Sequence, residues 1–402
     1  MSFLRFGYVT GPLIGALWLF ILATTVSITM SFATGDPFRP AGWISLILGA
    51  GLGYAACAQG GTLVKTGIIA AVLFVITVAG FGPLVSESTL FSTFFAAAVL
   101  AAIFAWSQVL ILDETKMGTL TRHEMEEAWI RFLTGFGYIF FTAIVLIPFY
   151  VMVMTSLKSQ SALLQNPLDF SLDLDKGWAL FRSYSELFQD FNFGTYIWTS
   201  FYVSVLTVLI TLAFSVPGAY AVARLKFQGR AAFSRSILLI YMVPMIVLAL
   251  PIYIAFSVTG LRNTVIGIVM IYPVTTIPVA LYMLQGYFRG LPAEVEEAGL
   301  MDGLNRLQVI WKITLPLALP ALASVSLYVF MIAWNEFLLA FMLLDDPSKF
   351  TLTRGVAMLN SSEIPREHLM AGAVIATVPV MALFLGLEKF MTKGLTAGSV
   401  KG

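Results

Sequence analysis

The chain has 402 residues, 59% of them hydrophobic and only 11% charged, with a formal net charge of +1. A water-soluble protein keeps roughly a quarter of its residues charged, so this composition expects an outer surface that meets lipid. The balanced charge and the lack of a basic run argue against nucleic acid as a partner. The single cysteine, Cys57, cannot form an intramolecular disulfide, and the isolated histidines His123 and His368 give no reason to expect a metal site.

Crossing the hydrocarbon core takes about 20 mostly apolar residues in a helix. Ten stretches approach this, at 8–30, 41–58, 67–85, 89–112, 133–156, 199–222, 234–256, 264–288, 318–343 and 369–391. The first could pass for a signal peptide, but no cleavage site followed by a soluble domain comes after it, so an uncleaved span is expected. The alternation of a membrane barrel is missing, which leaves an all-α polytopic fold. With both termini in the cytoplasm, 15 of the 23 lysines and arginines fall on the inner side, including the cluster from Arg224 to Arg235.

The chain divides near residue 115. Residues 1–115 read as an extension of four spans, and 116–402 as the transport region of six. Between them, Thr121 and Glu124 are placed as a capping box. Met125, Trp129 and Phe132 share one face, so a helix lying in the inner interface is expected ahead of the fifth span. Prolines concentrate in the last six spans (Pro148, Pro217, Pro244, Pro251, Pro273, Pro278, Pro320 and Pro379), where kinks free backbone groups to hinge or line a cavity. The GxxxG pairs Gly11/Gly15 and Gly49/Gly53 read as general packing. The loop 157–198, with Trp178, Tyr184 and Phe188, is a candidate receptor-docking surface or a folded cap.

Between the eighth and ninth spans, residues 291–316 form no ordinary loop. Pro292 suits a helix start, Glu294, Glu296 and Glu297 suit its positive end, and Gly303 suits its exit. A second helix is expected from Asn305, with Leu307, Ile310 and Trp311 on one face, closing at Pro316.

Glu297-Ala298-Gly299, then Gly303 after three residues and Ile313-x-Leu315-Pro316 after nine more, resembles the EAA loop of ATP-binding-cassette importer permeases. Only Gly299 departs from the pattern, in which alanine is usual. Ala219-Tyr220-Ala221 with Arg224, Gly260-Leu261 with Asn263-Thr264, and Trp334-Asn335-Glu336-Phe337 resemble the carbohydrate-uptake branch. The end of the chain, including Ser399, Val400, Lys401 and Gly402, is similar to the tail of the smaller permease subunit in maltose-type transporters. The resemblance covers roughly residues 130–402. It implies a permease without catalytic residues or a cofactor of its own, since ATP is bound by a partner.

Implied partners are a cytoplasmic ATPase dimer, a second permease subunit in a heterodimer, an extracytoplasmic solute-binding protein, membrane lipid, and a sugar or similar solute. The implied location is the bacterial or archaeal cytoplasmic membrane. Coupling to the ATPase would fall to Glu297, Ala298, Gly299, Asp302, Gly303, Ile313, Leu315 and Pro316, with tail contacts from Ser399–Gly402. Asn335 and Glu336 are candidates for the solute path. The rival reading is an ion-coupled secondary transporter. It suffers from span interiors almost free of charge, where such machinery needs buried ionisable groups. No glycine-lysine pair occurs, so no phosphate-binding loop of the G-x4-G-K type is present.

Overall fold

The computed structural model describes residues 5–58, 61–166, 170–172 and 174–396. The tail residues Ser399, Val400, Lys401 and Gly402 lie outside the described residues. The chain folds as two compact units, Met1–Leu180 and Phe181–Gly402.

The first unit contains α1 (Gly7–Thr34), α2 (Gly42–Ala56), α3 (Thr62–Ile76), α4 (Leu90–Ile111), α5 (Arg122–Ser156) and α6 (Gln160–Gln165). Two short strands, β1 (Phe38–Pro40) and β2 (Leu84–Ser86), pair antiparallel. β2 replaces the end of the expected third span, because the chain leaves the helical path at Gly80, where φ is 84°. The two glycine pairs meet each other at the α1–α2 seam. A Cβ on Gly15 would strike the carbonyl of Gly49, and one on Gly53 would strike that of Gly11. Removing side chains lets the backbones approach, which favours association where lipid is as apolar as the helices.

The helix α5 packs on this unit. Trp18 meets Phe132 edge-on at 5.9 Å, and its indole N–H donates to Ser107 Oγ at 2.7 Å. Arg131 pairs with Glu114 at 3.0 Å. The Thr121–Glu124 capping box forms as the residues predict. The separate interfacial helix does not: α5 runs unbroken for 35 residues. No proline interrupts residues 122–147, and at 1.5 Å per residue the helix is about 50 Å long, enough to overshoot the ~30 Å core with its polar first turns. By packing, then, α5 joins the unit that ends at Leu180, although the resemblance to permeases takes it in.

In the second unit, α7 (Arg182–Asp190) leads to α8 (Phe193–Arg224), α9 (Arg230–Tyr241), α10 (Met245–Val258) and α11 (Val265–Gly290). Next come α12 (Ala293–Met301), α13 (Arg306–Val309), α14 (Leu315–Leu317) and α15 (Leu319–Asn335). The last are α16 (Leu338–Leu343), α17 (Leu352–Met358) and α18 (Arg366–Thr396). A stripe of Ser200, Ser204, Thr207, Thr211 and Ser215, all buried, runs along α8, from Ser200, which accepts from the Leu352 N–H of α17 at 2.7 Å, to Ser215 at the seam with α11, which donates to Ile277 O at 3.4 Å. Thr211 and Thr276 join hydroxyls across that seam at 2.6 Å. Small polar residues bring the two helices close and bond across them.

Among the described residues, seven helices are long and apolar enough to cross a membrane, and the pair Arg306–Leu317 and Leu319–Asn335, bent by 76°, would be an eighth. The shorter apolar helices α2 and α10 occupy two further expected positions. Two expected spans are broken. The seventh divides before α10, whose N-cap is Pro244 in an extended conformation. The ninth divides at Glu336, also extended, between α15 and α16.

The Trp334–Phe337 and Gly260–Thr264 motifs hold the fold together. Trp334 donates its indole N–H to Ala376 O at 3.0 Å, tying α15 to α18. Asn263 adopts φ 57°, and its amide oxygen accepts from the backbone N–H groups of Asp345 and Asp346 at 3.1 and 3.0 Å. In the region expected as receptor-docking surface or cap, Trp178 is 89% exposed while Leu187 is fully buried.

Candidate functional site: the α12–α14 segment

The segment α12–α14 is built by local signals. Pro292 is the extended N-cap of α12, and Glu294 and Glu296 stand in its first turn, where the helix dipole favours carboxylates. The helix ends in a left-handed residue, Gly303 at φ 87°, with Leu304 N–H returning to Gly299 O at 3.1 Å. Asn305 and Gln308 then cap α13 reciprocally, each bond 2.9 Å. The second arm continues through a wide turn, Ile310–Thr314, into α14. It does not close at Pro316. A proline in the first turn of a helix loses no hydrogen bond, so the chain runs on and bends by 76° after Leu317.

The segment has two unlike faces. On the inner face Glu296 is 9% exposed. Its carboxylate accepts from the Tyr220 hydroxyl at 3.2 Å and the Thr314 hydroxyl at 3.0 Å. Arg224 Nε stands 3.4 Å from the same carboxylate, a charge contact without hydrogen-bond geometry. Arg224 Nη2 donates to Leu291 O at 2.7 Å. These bonds clamp α12 to the end of α8 and to the start of the next span. Gly299 belongs to this face too: a Cβ there would meet Ile313 Cδ1, with Val309 Cγ2 at 3.5 Å and Leu304 Cδ1 at 3.6 Å. Glycine in place of the usual alanine admits the isoleucine tip.

On the outer face Glu297, Ala298, Asp302, Gly303 and Pro316 are exposed. Around them Met301, Leu307 and Trp311 are 88%, 69% and 71% exposed. The motif thus separates into an inward set, Gly299 with the half-buried Ile313 and Leu315, and an outward set. Sequence reasoning placed Glu296 only in the dipole and missed its anchoring role. The signal was available: Glu296 and Gly299 are three apart and share a face, whereas Glu297 points about 100° away.

The two solute-path candidates behave differently. Glu336 uses its carboxylate to accept from the backbone N–H groups of Leu339 and Ala340 at 2.9 and 3.2 Å, capping α16. Asn335 is exposed and donates to Met331 O at 2.9 Å.

Residues 215–396, which hold the end of α8 and all of α9–α18, match the family described as binding-protein-dependent transport system inner membrane component. The chain is 37% identical over 270 residues to the inner membrane ABC transporter permease protein YcjP of Escherichia coli, covering 66% of this chain and 95% of that one. It is 33% identical over 282 residues to the trehalose/maltose transport system permease protein MalG of Thermococcus litoralis, covering 69% and 99%. A solved structure, that of a bacterial ABC transporter involved in the import of the acidic polysaccharide alginate, superposes with a TM-score of 0.56 at 26% identity. It covers 67% of this chain and 98% of that one. With relatives matched along almost their whole length, this chain belongs to the binding-protein-dependent transport permeases, as a membrane-spanning subunit of an ATP-driven importer.

Proposed function

We propose that the chain moves a sugar or sugar-like solute by alternating access, driven by a separate ATPase dimer that docks on the outer face of α12–α14. The observation that carries this is the two-faced segment α12–α14: one face clamped through Glu296 to the spans, the other open, with an apolar ridge among exposed carboxylates. A rigid clamp is what transmits a push; an exposed ridge of Met301, Leu307 and Trp311 is what a groove on a partner can grip. On this reading Glu297, Ala298, Asp302, Gly303 and Pro316 meet the ATPase, while Gly299, Ile313 and Leu315 hold the two arms together. The subunit itself neither hydrolyses ATP nor needs a cofactor.

A carbohydrate solute follows the relatives, one named for trehalose/maltose transport and one involved in alginate import. On this reading α12–α14 and both termini lie in the cytoplasm, which the excess of lysine and arginine on that side supports. A second permease subunit and an extracytoplasmic binding protein complete the assembly, and Ser399–Gly402 extend toward the ATPase. Asn335 borders the solute path and Glu336 shapes it by holding α16. Residues 1–115 form an extension beside the region shared with the relatives, which span roughly two thirds of this chain. The test is ATP-dependent uptake of labelled maltose, trehalose and alginate oligosaccharides into liposomes holding the chain with its operon partners. Uptake that persists without ATP but follows an ion gradient would overturn the reading.

A further inference from the structure

Where α8 ends and α9 begins, an open cleft of about 730 Å³ is lined by Phe227, Gly229, Arg230, Ala231, Ala232, Arg235 and Arg289. Three arginines face one cleft, no carboxylate lines it, and among the described residues none of the three forms an ion pair. We infer that this cleft binds the phosphate of an anionic phospholipid; the inference rests on the membrane orientation proposed above.

Two of the three guanidinium groups are held in place. Arg230 Nη2 donates to Ala223 O at 3.0 Å. Arg289 is fixed through Gln285, whose amide oxygen, in the orientation that satisfies both amide atoms, accepts from Nη1 and Nη2 at 3.2 and 3.0 Å. Gln285 is in turn bonded to Ser234 on α9 at 3.0 Å and is buried. Each guanidinium carries five N–H donors, so donors remain for a ligand after these bonds. Arg235 is exposed and makes no hydrogen bond among the described residues.

Preorganised arginines suit a phosphate better than a carboxylate-free surface of lysines would, because the planar fork engages two oxygens at once. The rest of the cleft favours a lipid over a free ion. Phe227 is 44% exposed, Ala231 and Ala232 are open, and further along α9 Phe233 and Leu239 stand 47% and 64% exposed. Arginines beside the exposed Phe227 and Phe233, with Leu239 one turn past Arg235, match a headgroup held next to its acyl chain.

The test is native mass spectrometry of the full-length chain in detergent, with added phosphatidylglycerol or phosphatidylcholine. Phosphatidylglycerol adducts survive where phosphatidylcholine is lost, and R235Q/R289Q weakens their retention about 25-fold, at about fivefold per arginine. R235K/R289K keeps most of the retention. R235Q alone, at a side chain without bonds, weakens it about fivefold without touching the fold. Equal retention in wild type and both glutamine variants overturns the inference. So does displacement of the lipid by millimolar inorganic phosphate, which would make the ligand a soluble anion. Loss of ATPase co-purification in R235Q with lipid retention unchanged would assign the cleft to the ATPase instead. None of these readouts needs transport or a defined orientation, so they fail separately from the uptake experiment.

Discussion

Removing the Glu296 carboxylate separates anchoring from docking. In Glu296→Ala the Tyr220 and Thr314 hydroxyls lose their acceptor, and Arg224, with a side chain only 13% exposed, loses its counter-charge. Breaking one partner of a buried ion pair costs about 3–5 kcal/mol. Glu296→Gln keeps the shape and one acceptor oxygen, so loss of charge-assisted bonding costs about 1.5–3 kcal/mol. At about 1.4 kcal/mol per decade, the alanine variant shifts the balance between clamped and released α12 by roughly 100-fold or more. The ridge on the outer face is untouched, so the ATPase still assembles and hydrolyses ATP. Uptake per ATP in proteoliposomes therefore falls steeply in Glu296→Ala and more mildly in Glu296→Gln. Wild-type uptake per ATP in Glu296→Ala would refute the clamp, as would loss of the ATPase from the purified complex, which would make Glu296 a docking residue.

Other consequences follow from particular contacts. Gly303→Val forces a β-branched residue into φ 87°, at a cost of at least about 1–2 kcal/mol; because open space surrounds the site, the defect is one of backbone shape, read as weakened ATPase binding with normal membrane insertion. Gly15→Leu drives a side chain into the carbonyl of Gly49 and lowers the unfolding temperature in detergent, while Gly51→Leu, with nothing nearby, leaves it unchanged. On the α7 surface the Arg182 guanidinium, with His368 adding, holds the Glu186 carboxyl below its ordinary 4.5. A depressed carboxyl stabilises the fold above its unfolded value, and that contribution disappears as pH falls through the folded one. The protection factor for hydrogen exchange across 182–190, the rate corrected for the intrinsic pH dependence of amide exchange, therefore stays level above pH 4.5 and falls below it, and Glu186→Gln removes that fall.

Much of this architecture is legible in hydropathy, because lipid forces every backbone group into a helix and each span announces itself as an apolar stretch. Breaks are harder to read. Pro244 interrupts a span whereas Pro217 and Pro273 sit inside continuous helices; the difference lies in neighbouring packing, which a single sequence does not display. The EAA spacing marked 291–316 as a folded helical segment, and the structure has helices there, since glycine, proline and caps act locally. The clamp was harder to see, as Tyr220 and Glu296 are 76 residues apart and their meeting depends on how α8 and α12 pack. The glycine pairs of α1 and α2 carry the same lesson: each pair was visible, but that the two pairs meet is a tertiary fact. Glu336 stood out as an acid in an apolar stretch, and its use as a cap for α16 appears only once the chain breaks there.

The docking claim is tested most directly by site-specific photocrosslinking at the outer face of α12. In a Cys57→Ser background, which removes the sole cysteine, Ala298→Cys offers an exposed thiol for a benzophenone label. Illumination of the assembled transporter in liposomes yields a covalent adduct between the chain and its ATPase subunit, with a yield that changes when ATP binds. A label at residue 298 that reacts only with lipid, in a complex that still transports, would contradict the account.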